Sequence, residues 1–286
     1  MNNRRKLFNT IDSFITATGL GLIMLFTGCT EVVDWDTKND QQLVVEGVVT
    51  SENKKHYVNL SATLGIYSEK DTPTISNAVV TINDGASVYT LVEHPEKKGF
   101  YETTEAFAGE PGKTYRLDIR LAEPVGGVRT VQAISVMPPR VMVDSMKVVN
   151  ETSEDSNEWY SIKLFGRDSK EMDSYCLMYT YRNGTLITDR LDQLVYYNSQ
   201  DPEANLSEYT INQDNISYGD SVAVEIQSVA KEYYHYVSDL KEKMYLYYGD
   251  SDQSSKSSSN VYGNISNNVF GYFYATAVTR LEEVAE

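Results

Sequence analysis

The chain has 286 residues, with 25 Lys and Arg against 41 Asp and Glu, a formal charge of −16, and two cysteines, Cys29 and Cys176. So acidic a surface disfavours nucleic acid, whose binding rewards Lys and Arg through counterion release, and it repels an anionic membrane face. Twenty-two tyrosines, eight phenylalanines and two tryptophans suit β-structure with half-exposed aromatic faces.

Arg4, Arg5 and Lys6 open the chain with positive charge, and an apolar stretch follows from Phe14 to Phe26. That stretch is shorter than the roughly 20 residues a helix needs to cross a bilayer. Leu25-Phe26-Thr27-Gly28-Cys29 puts small residues ahead of a cysteine and resembles the lipobox of bacterial lipoproteins, in which the cysteine is diacylated and becomes the acylated first residue. Residues 1–28 are therefore expected to be a lipoprotein signal peptide and Cys29 the lipidation site, carrying palmitate-type chains. An ordinary secretory signal is the alternative. The arginine pair has Leu7 where the twin-arginine pattern wants phenylalanine, which favours Sec export. Acyl chains, at roughly 0.8 kcal/mol per buried methylene, would anchor the protein firmly. Thr30 is not the aspartate that retains enteric lipoproteins in the inner membrane, so an outer-membrane location is expected. The signal carries three basic and one acidic residue, so the mature protein has a formal charge of −18; its membrane contact is through N-terminal acyl chains. Lipidation leaves Cys176 alone, without an internal disulfide.

Residues 29–40, with Glu31, Asp34, Asp36 and Asp40, read as an acylated tether. A first β-sandwich domain is expected over 41–137. Leu43, Val45 and Val49 share one face with Val44 and Val48 on the other, and Val58, Leu60, Ala62 and Leu64 form a second strand. Val79 to Ile82 leads through Asn83-Asp84-Gly85 into Ser87 to Val92, a hairpin pattern. After the turn Gly109-Glu110-Pro111-Gly112, apolar Tyr115, Leu117, Ile119 and Leu121 alternate with Thr114, Arg116, Asp118 and Arg120, the mark of a half-buried strand. Met137-Pro138-Pro139-Arg140 cannot join a ladder and sets the boundary.

A second β-rich domain is expected over 138–286. Strand candidates are Val141 to Val149, Trp159 to Phe165, Tyr175 to Tyr181, Leu186 to Tyr196 and Val222 to Ile226, with acidic loops such as Glu151 to Asp155 and Asp201-Pro202-Glu203 between them. Val229, Tyr233, Tyr236, Val237, Leu240, Met244 and Tyr247 recur at helical spacing, predicting one amphipathic helix over 229–247 with Ser228 as N-cap and Gly249 as stop. Asp250 to Asn260 reads as a Ser-rich connector before a last strand, Val269 to Val278. The fold class is mainly β, with two β-sandwich-like domains and one helix in the second.

Several phrases carry a family resemblance in order along the chain: Leu43-Val44-Val45-Glu46-Gly47 after a lipobox, Ile75-Ser76-Asn77-Ala78-Val79-Val80-Thr81-Ile82, and Pro111-Gly112-Lys113-Thr114-Tyr115-Arg116-Leu117. Val143-Asp144-Ser145-Met146, Tyr262-Gly263-Asn264-Ile265 and Gly271-Tyr272-Phe273-Tyr274-Ala275 follow. Together they resemble the gram-negative lipoprotein family catalogued as domain of unknown function DUF4249, over nearly all of the mature chain. Members often carry a glycine-rich Asn-Ile-x-Gly-Gly-x-Gly stretch where this chain has Asn264-Ile265-Ser266-Asn267-Asn268. The resemblance implies an outer-membrane lipoprotein on the periplasmic or surface face, with a first domain like the transthyretin-type sandwich of carboxypeptidase regulatory domains. It also implies an accessory role beside a TonB-dependent receptor in uptake. It brings no catalytic residues.

The sharper chemical patterns are missing. His56, His94 and His235 have no partners at zinc-ligand spacing. Neither a Gly-x-Ser-x-Gly elbow nor a phosphate-binding glycine loop occurs, and Asp250-Ser251-Asp252 lacks the pattern of a calcium loop. No catalytic residue, metal or cofactor is assigned. Aromatic pairs remain: Tyr196-Tyr197, Tyr233-Tyr234, Tyr247-Tyr248 and Tyr272-Phe273-Tyr274. Core lining is the commoner role for any one tyrosine, but a ring with a wet hydroxyl also stacks on sugars or peptides. Tyr196, Tyr197, Tyr234, Tyr248 and Tyr272 are therefore the candidate contacts. The leading expectation is a non-enzymatic accessory binding or docking module. An adhesin or fimbrial-type subunit donating the strand Val269 to Val278 is the alternative, and a glycan or peptide hydrolase built on a carboxylate pair is third. Asp144-Ser145-Met146 and Asp220-Ser221-Val222 resemble short O-glycosylation sites, or are strand starts with capping side chains.

Overall fold

The computed structural model describes residues 41–64, 71–152, 158–167, 173–213, 215–248 and 260–286, and among these described residues it has fifteen strands and one long helix. The signal segment, Cys29, the tether and Asp250-Ser251-Asp252 lie outside the described residues. The protein is mainly β and sandwich-like.

The first half holds β1 (Leu43–Thr50), β2 (Tyr57–Ala62), β3 (Val79–Asn83), β4 (Val88–Glu93), β5 (Phe100–Thr103), β6 (Thr114–Val125) and β7 (Val128–Val136). β6 follows its sequence pattern: Tyr115, Leu117, Ile119 and Leu121 are buried while Thr114, Arg116 and Arg120 are exposed. Each such side chain contributes on the order of 1.5–3 kcal/mol on burial. The β3–β4 hairpin turns where predicted. Gly85 takes φ +90°, and Asp84 Oδ1 accepts from the backbone N–H groups of Ala86 and Ser87.

The second half holds β8 (Met142–Thr152), β9 (Glu158–Arg167), β10 (Tyr175–Arg182), β11 (Thr185–Leu186), β12 (Val195–Asn198), β13 (Tyr209–Gln213), β14 (Ser221–Val229), α1 (Lys231–Tyr248) and β15 (Phe270–Val284). The order β13-β9-β8 forms a three-stranded sheet. It packs against β10, β14 and the end of β15 through Ile162, Leu164, Cys176, Met178, Val224 and Ile226. α1 covers the opposite face of β10 and β14, burying Leu177, Val229 and Val237.

β15 belongs to both halves. Phe270–Thr276 pairs in parallel with Val44–Thr50 of β1, and Ala277–Val284 pairs antiparallel with β14. Val269, Phe273, Ala275 and Ala277 lie in the first core beside Val45, Leu60 and Leu117. The last strand, expected with the second half, therefore completes the first. The larger sheet runs β11-β10-β14-β15-β1-β2-β5-β4-β3-β6-β7 without a break, with β12 also pairing β10.

Two local expectations are corrected. Leu186 to Tyr196 is not one strand, because a turn at 191–193 separates β11 from β12. Ser228 is not the helix cap: it lies in β14, where its Oγ accepts from Val141 N (2.9 Å). The helix begins beyond Ala230, whose carbonyl accepts from Tyr234 N. The apolar run into Val229 extends the ladder first, and helical spacing takes over after it.

Candidate functional site

Period-two alternation in β15 sends Phe273 and Ala275 into the first core and turns Tyr272 and Tyr274 to the other face. On that face the register aligns Tyr274, Val48 and Tyr57 across β15, β1 and β2, and Tyr272, Glu46, Asn59 and Phe100 in the next row. Tyr57 stacks on Phe100 with centroids 5.2 Å apart, and Asn59 Nδ2 donates to Glu46 Oε2 (3.2 Å). The first turns of α1 come down over this surface. Tyr233 stacks on Tyr274 at 3.8 Å and lies 4.9 Å from Tyr272, and Tyr236 also lies 4.9 Å from Tyr272.

The other flank comes from β10, β14 and the far end of β15. Tyr179 sits across from Glu225, and Tyr181 lies two residues further along β10. Arg280 places its guanidinium 4.5 Å from the Tyr181 ring centre and 3.8 Å from Glu225. Gln227 Nε2 donates to Glu225 Oε1 (2.8 Å), and Tyr274 Oη donates to Gln227 Oε1 (3.3 Å). A polar row, Arg280-Glu225-Gln227-Tyr274, thus runs beside the aromatic one.

Four strand steps separate β10 from β2, about 19 Å on a flat sheet at roughly 4.8 Å each. The Tyr274 hydroxyl, 3.3 Å from Gln227 Oε1, joins the two flanks. Burial pushes the Tyr272 phenol up to about 12, with Glu232 and Tyr236 adding to it. Burial likewise raises Tyr57, Tyr179, Tyr233 and Tyr274. At neutral pH these hydroxyls are uncharged groups that donate and accept hydrogen bonds, not proton carriers.

The family model described as Domain of unknown function (DUF4249) matches residues 30–282. The chain belongs to this family. The DUF4249 match spans both cores and both flanks of the tyrosine face. No curated protein matches the chain. Among solved structures, the crystal structure of chicken CNTN1 FN1-FN3 domains is similar at 12% identity and a TM-score of 0.26, covering 64% of this chain and 59% of that one.

The candidate tyrosines of this DUF4249 protein do not form one surface. Tyr272 lies in the tyrosine face, against Tyr233 and Tyr236. Tyr234 is half-buried in the helix–sheet joint, 5.2 Å from Tyr175 and 5.9 Å from Tyr196, and Lys241 Nζ caps the Tyr196 ring at 4.3 Å. Tyr197 is 1% exposed and packs edge-on against Tyr209, where it meets no solvent. Tyr248 ends α1, and its side chain lies outside the described residues. Six residues of the face lie outside the aromatic runs: Tyr57, Tyr179, Tyr181, Glu225, Gln227 and Arg280. Alternation within Tyr175 to Tyr181 already puts Tyr179 and Tyr181 on one face; Tyr57 and Arg280 carry no local signal, because the topology alone brings them there.

Among the described residues no group of three or more His, Cys, Asp or Glu is placed to hold a metal, and no helix is long and apolar enough to cross a membrane. His56 is buried in the first half, and His235 leans on Tyr175 and Tyr234. Asp220 closes the turn before β14 by accepting from Ser217 N and Asn183 Nδ2. Ser221 Oγ donates to Glu282 (2.6 Å).

Proposed function

We propose that this DUF4249 protein is an acylated accessory module of the outer membrane, anchored through Cys29, that holds a ligand or meets a TonB-dependent receptor with its tyrosine face. The observation that carries the reading is the clustering of neutral phenols from β15 and α1, Tyr233, Tyr236, Tyr272 and Tyr274, beside the prepositioned row Arg280-Glu225-Gln227. Binding sites characteristically combine aromatic walls with a few fixed polar groups. The basic start, short apolar run and small residues ahead of Cys29 support the anchor.

The test is affinity purification of the full chain from membranes. Wild type is expected to label with palmitate, fractionate with the outer membrane and bring a transporter with it, whereas Cys29→Ser loses label and membrane. A Cys29→Ser protein that still takes up palmitate would overturn the anchor. Wild-type protein recovered without transporter or ligand would overturn the accessory role.

Strand donation is the weaker reading. β15 is held by β1 along one part and by β14 along the other, so removing it would open both cores.

A further inference from the structure

We infer that the end of the first half where the chain enters β1 sits on the phospholipid surface and holds the second half away from it, an orientation that rests on the acyl anchor proposed above.

Three features meet at that end. Gln41 follows Cys29 by twelve residues in sequence, a length that reaches at most about 43 Å from the acyl group. Beside it is the tip of the β6–β7 hairpin, Pro124-Val125-Gly126-Gly127-Val128, so close that a Cβ on Gly126 would stand 2.9 Å from Gln41 O. Tyr262, 53% exposed, stacks on Phe270 at the start of β15 (5.3 Å). Gln41, Val125, Val128, Tyr262 and Asn268 line an open groove of about 410 Å³, and none of its lining residues is charged.

The rest of the charge is distributed to match. Residues 41–137 hold 9 Lys and Arg against 12 Asp and Glu, residues 138–286 hold 12 against 24, and no charged residue occurs between Lys256 and Arg280. Below the hairpin tip, Glu123 and Arg129 face each other at 3.8 Å and offset one another. An anionic lipid surface therefore repels the second half and leaves this end unopposed. A tyrosine beside an apolar tip suits the headgroup level, where the ring buries its carbons and keeps its hydroxyl wet.

β15 carries the orientation to the rest of the molecule. Its 15 residues, Phe270–Val284, span up to about 46 Å at roughly 3.3 Å per step. Tyr218 lies at the far end, where Gly219 N donates to Ala285 O. The acidic second half is thus the part presented to a partner.

The experiment places one fluorescent probe on the acylated full chain in phosphatidylethanolamine–phosphatidylglycerol vesicles that contain lipid spin-labelled at the headgroup. Cys176 is buried and Cys29 is held by its acyl group, so Pro124→Cys and Tyr218→Cys each supply the one reactive thiol. The probe at 124 is expected to lose most of its fluorescence to the spin label, and the probe at 218 to stay as bright as without it. Adding Tyr262→Glu to Pro124→Cys should restore most of the fluorescence while the chain still floats with the vesicles. Tyr262→Phe should leave the quenching in place, which separates a displaced surface from a damaged fold. Equal quenching at both sites, quenching unchanged by Tyr262→Glu, or a Pro124→Cys thiol that cross-links to a second copy overturns the inference. If the chain floats with the vesicles and neither probe is quenched, the orientation fails and the acyl anchor stands; if it does not float, both fail.

Discussion

Asn264 pairs with the main chain of Phe273 in both directions: Phe273 N donates to Asn264 Oδ1 (2.9 Å), and Asn264 Nδ2 donates to Phe273 O (2.7 Å). The same Nδ2 donates to Ile134 O (3.0 Å), so one side-chain amide joins β7 to β15. Its neighbours continue the pattern. Gln132 N donates to Ser266 Oγ (2.8 Å), and Asn267 Nδ2 donates to Thr130 O (3.0 Å). Polar side chains at 264, 266 and 267 thus satisfy alternate backbone groups along the edge of β7, where a bare edge would invite pairing with another chain.

Asn264→Ala removes three hydrogen bonds at this seam. At about 0.5–1.5 kcal/mol net for each, the expected loss is on the order of 2–4 kcal/mol, read as a lower urea midpoint. Asn264→Asp keeps the acceptor for Phe273 N but aims a carboxylate at two carbonyls, so it should be at least as damaging at pH 7 and recover in acid. A midpoint unmoved in both variants would refute the bridging role.

Gly271 makes the parallel pairing of β15 with β1 possible. Its φ is +96°, and an added Cβ would stand 1.9 Å from Val45 O. Gly271→Ala is therefore expected to force β15 off β1 and cost more than about 3 kcal/mol, well above the roughly 1 kcal/mol expected at a glycine whose only fault is a positive φ. Gly85, at φ +90° with open space around it, is that control. Equal destabilisation of the two variants by urea unfolding would sink the argument.

Local alternation made β1, β2 and β6 legible in the sequence, because one residue in two must face a core, and β10 was legible as a continuous apolar run because both of its faces are covered. The β3–β4 turn was legible because Asp84 and Gly85 satisfy it locally. What could not be read was the partnership of β15. Gly271 and Phe273 look alike whether their strand joins the second half or the first, and only the pairing with Val44 to Thr50 decides. The tyrosine face was half visible for the same reason: Tyr272 and Tyr233 announce themselves in aromatic runs, whereas Tyr57 and Arg280 join it only through long-range pairing. Tyr197 misled because tandem tyrosines on a strand face opposite ways, and its turn is inward.

Cys176 is fully buried, and desolvation pushes its thiol up to about 12 despite a hydrogen bond with Ser228. Thiolate is the reactive form. In a Cys29→Ser chain, maleimide is expected to leave the native protein unlabelled and to label it fully in urea. Labelling of the native protein faster than global unfolding would contradict the packing.

His56 makes the first half acid-sensitive. Its Nε2 lies 2.9 Å from Phe107 O, a pure acceptor, so Nε2 carries the hydrogen, and Nδ1 accepts from Thr50 N (3.3 Å). The ring is neutral and 1% exposed. Burial lowers its pKa from 6.5 to about 4, against the upward pull of the Phe107 bond. Because the folded value is the lower one, the unfolded chain binds the proton first on acidification. His56 therefore imposes no penalty well above pH 6.5, and stability falls as pH drops from about 6.5 towards 4, by about 3 kcal/mol in full. His56→Gln can still donate to Phe107 but does not titrate. It should be less stable than wild type at pH 7.5, by about 1 kcal/mol for the lost Thr50 bond. Between pH 6.5 and 4 its stability should decline less steeply, so the two curves converge or cross. The carboxylates are common to both proteins and cancel in the difference. Urea unfolding at pH 7.5, 6, 5 and 4.5 checks this, and parallel curves over that range would show that His56 does not titrate as its burial requires.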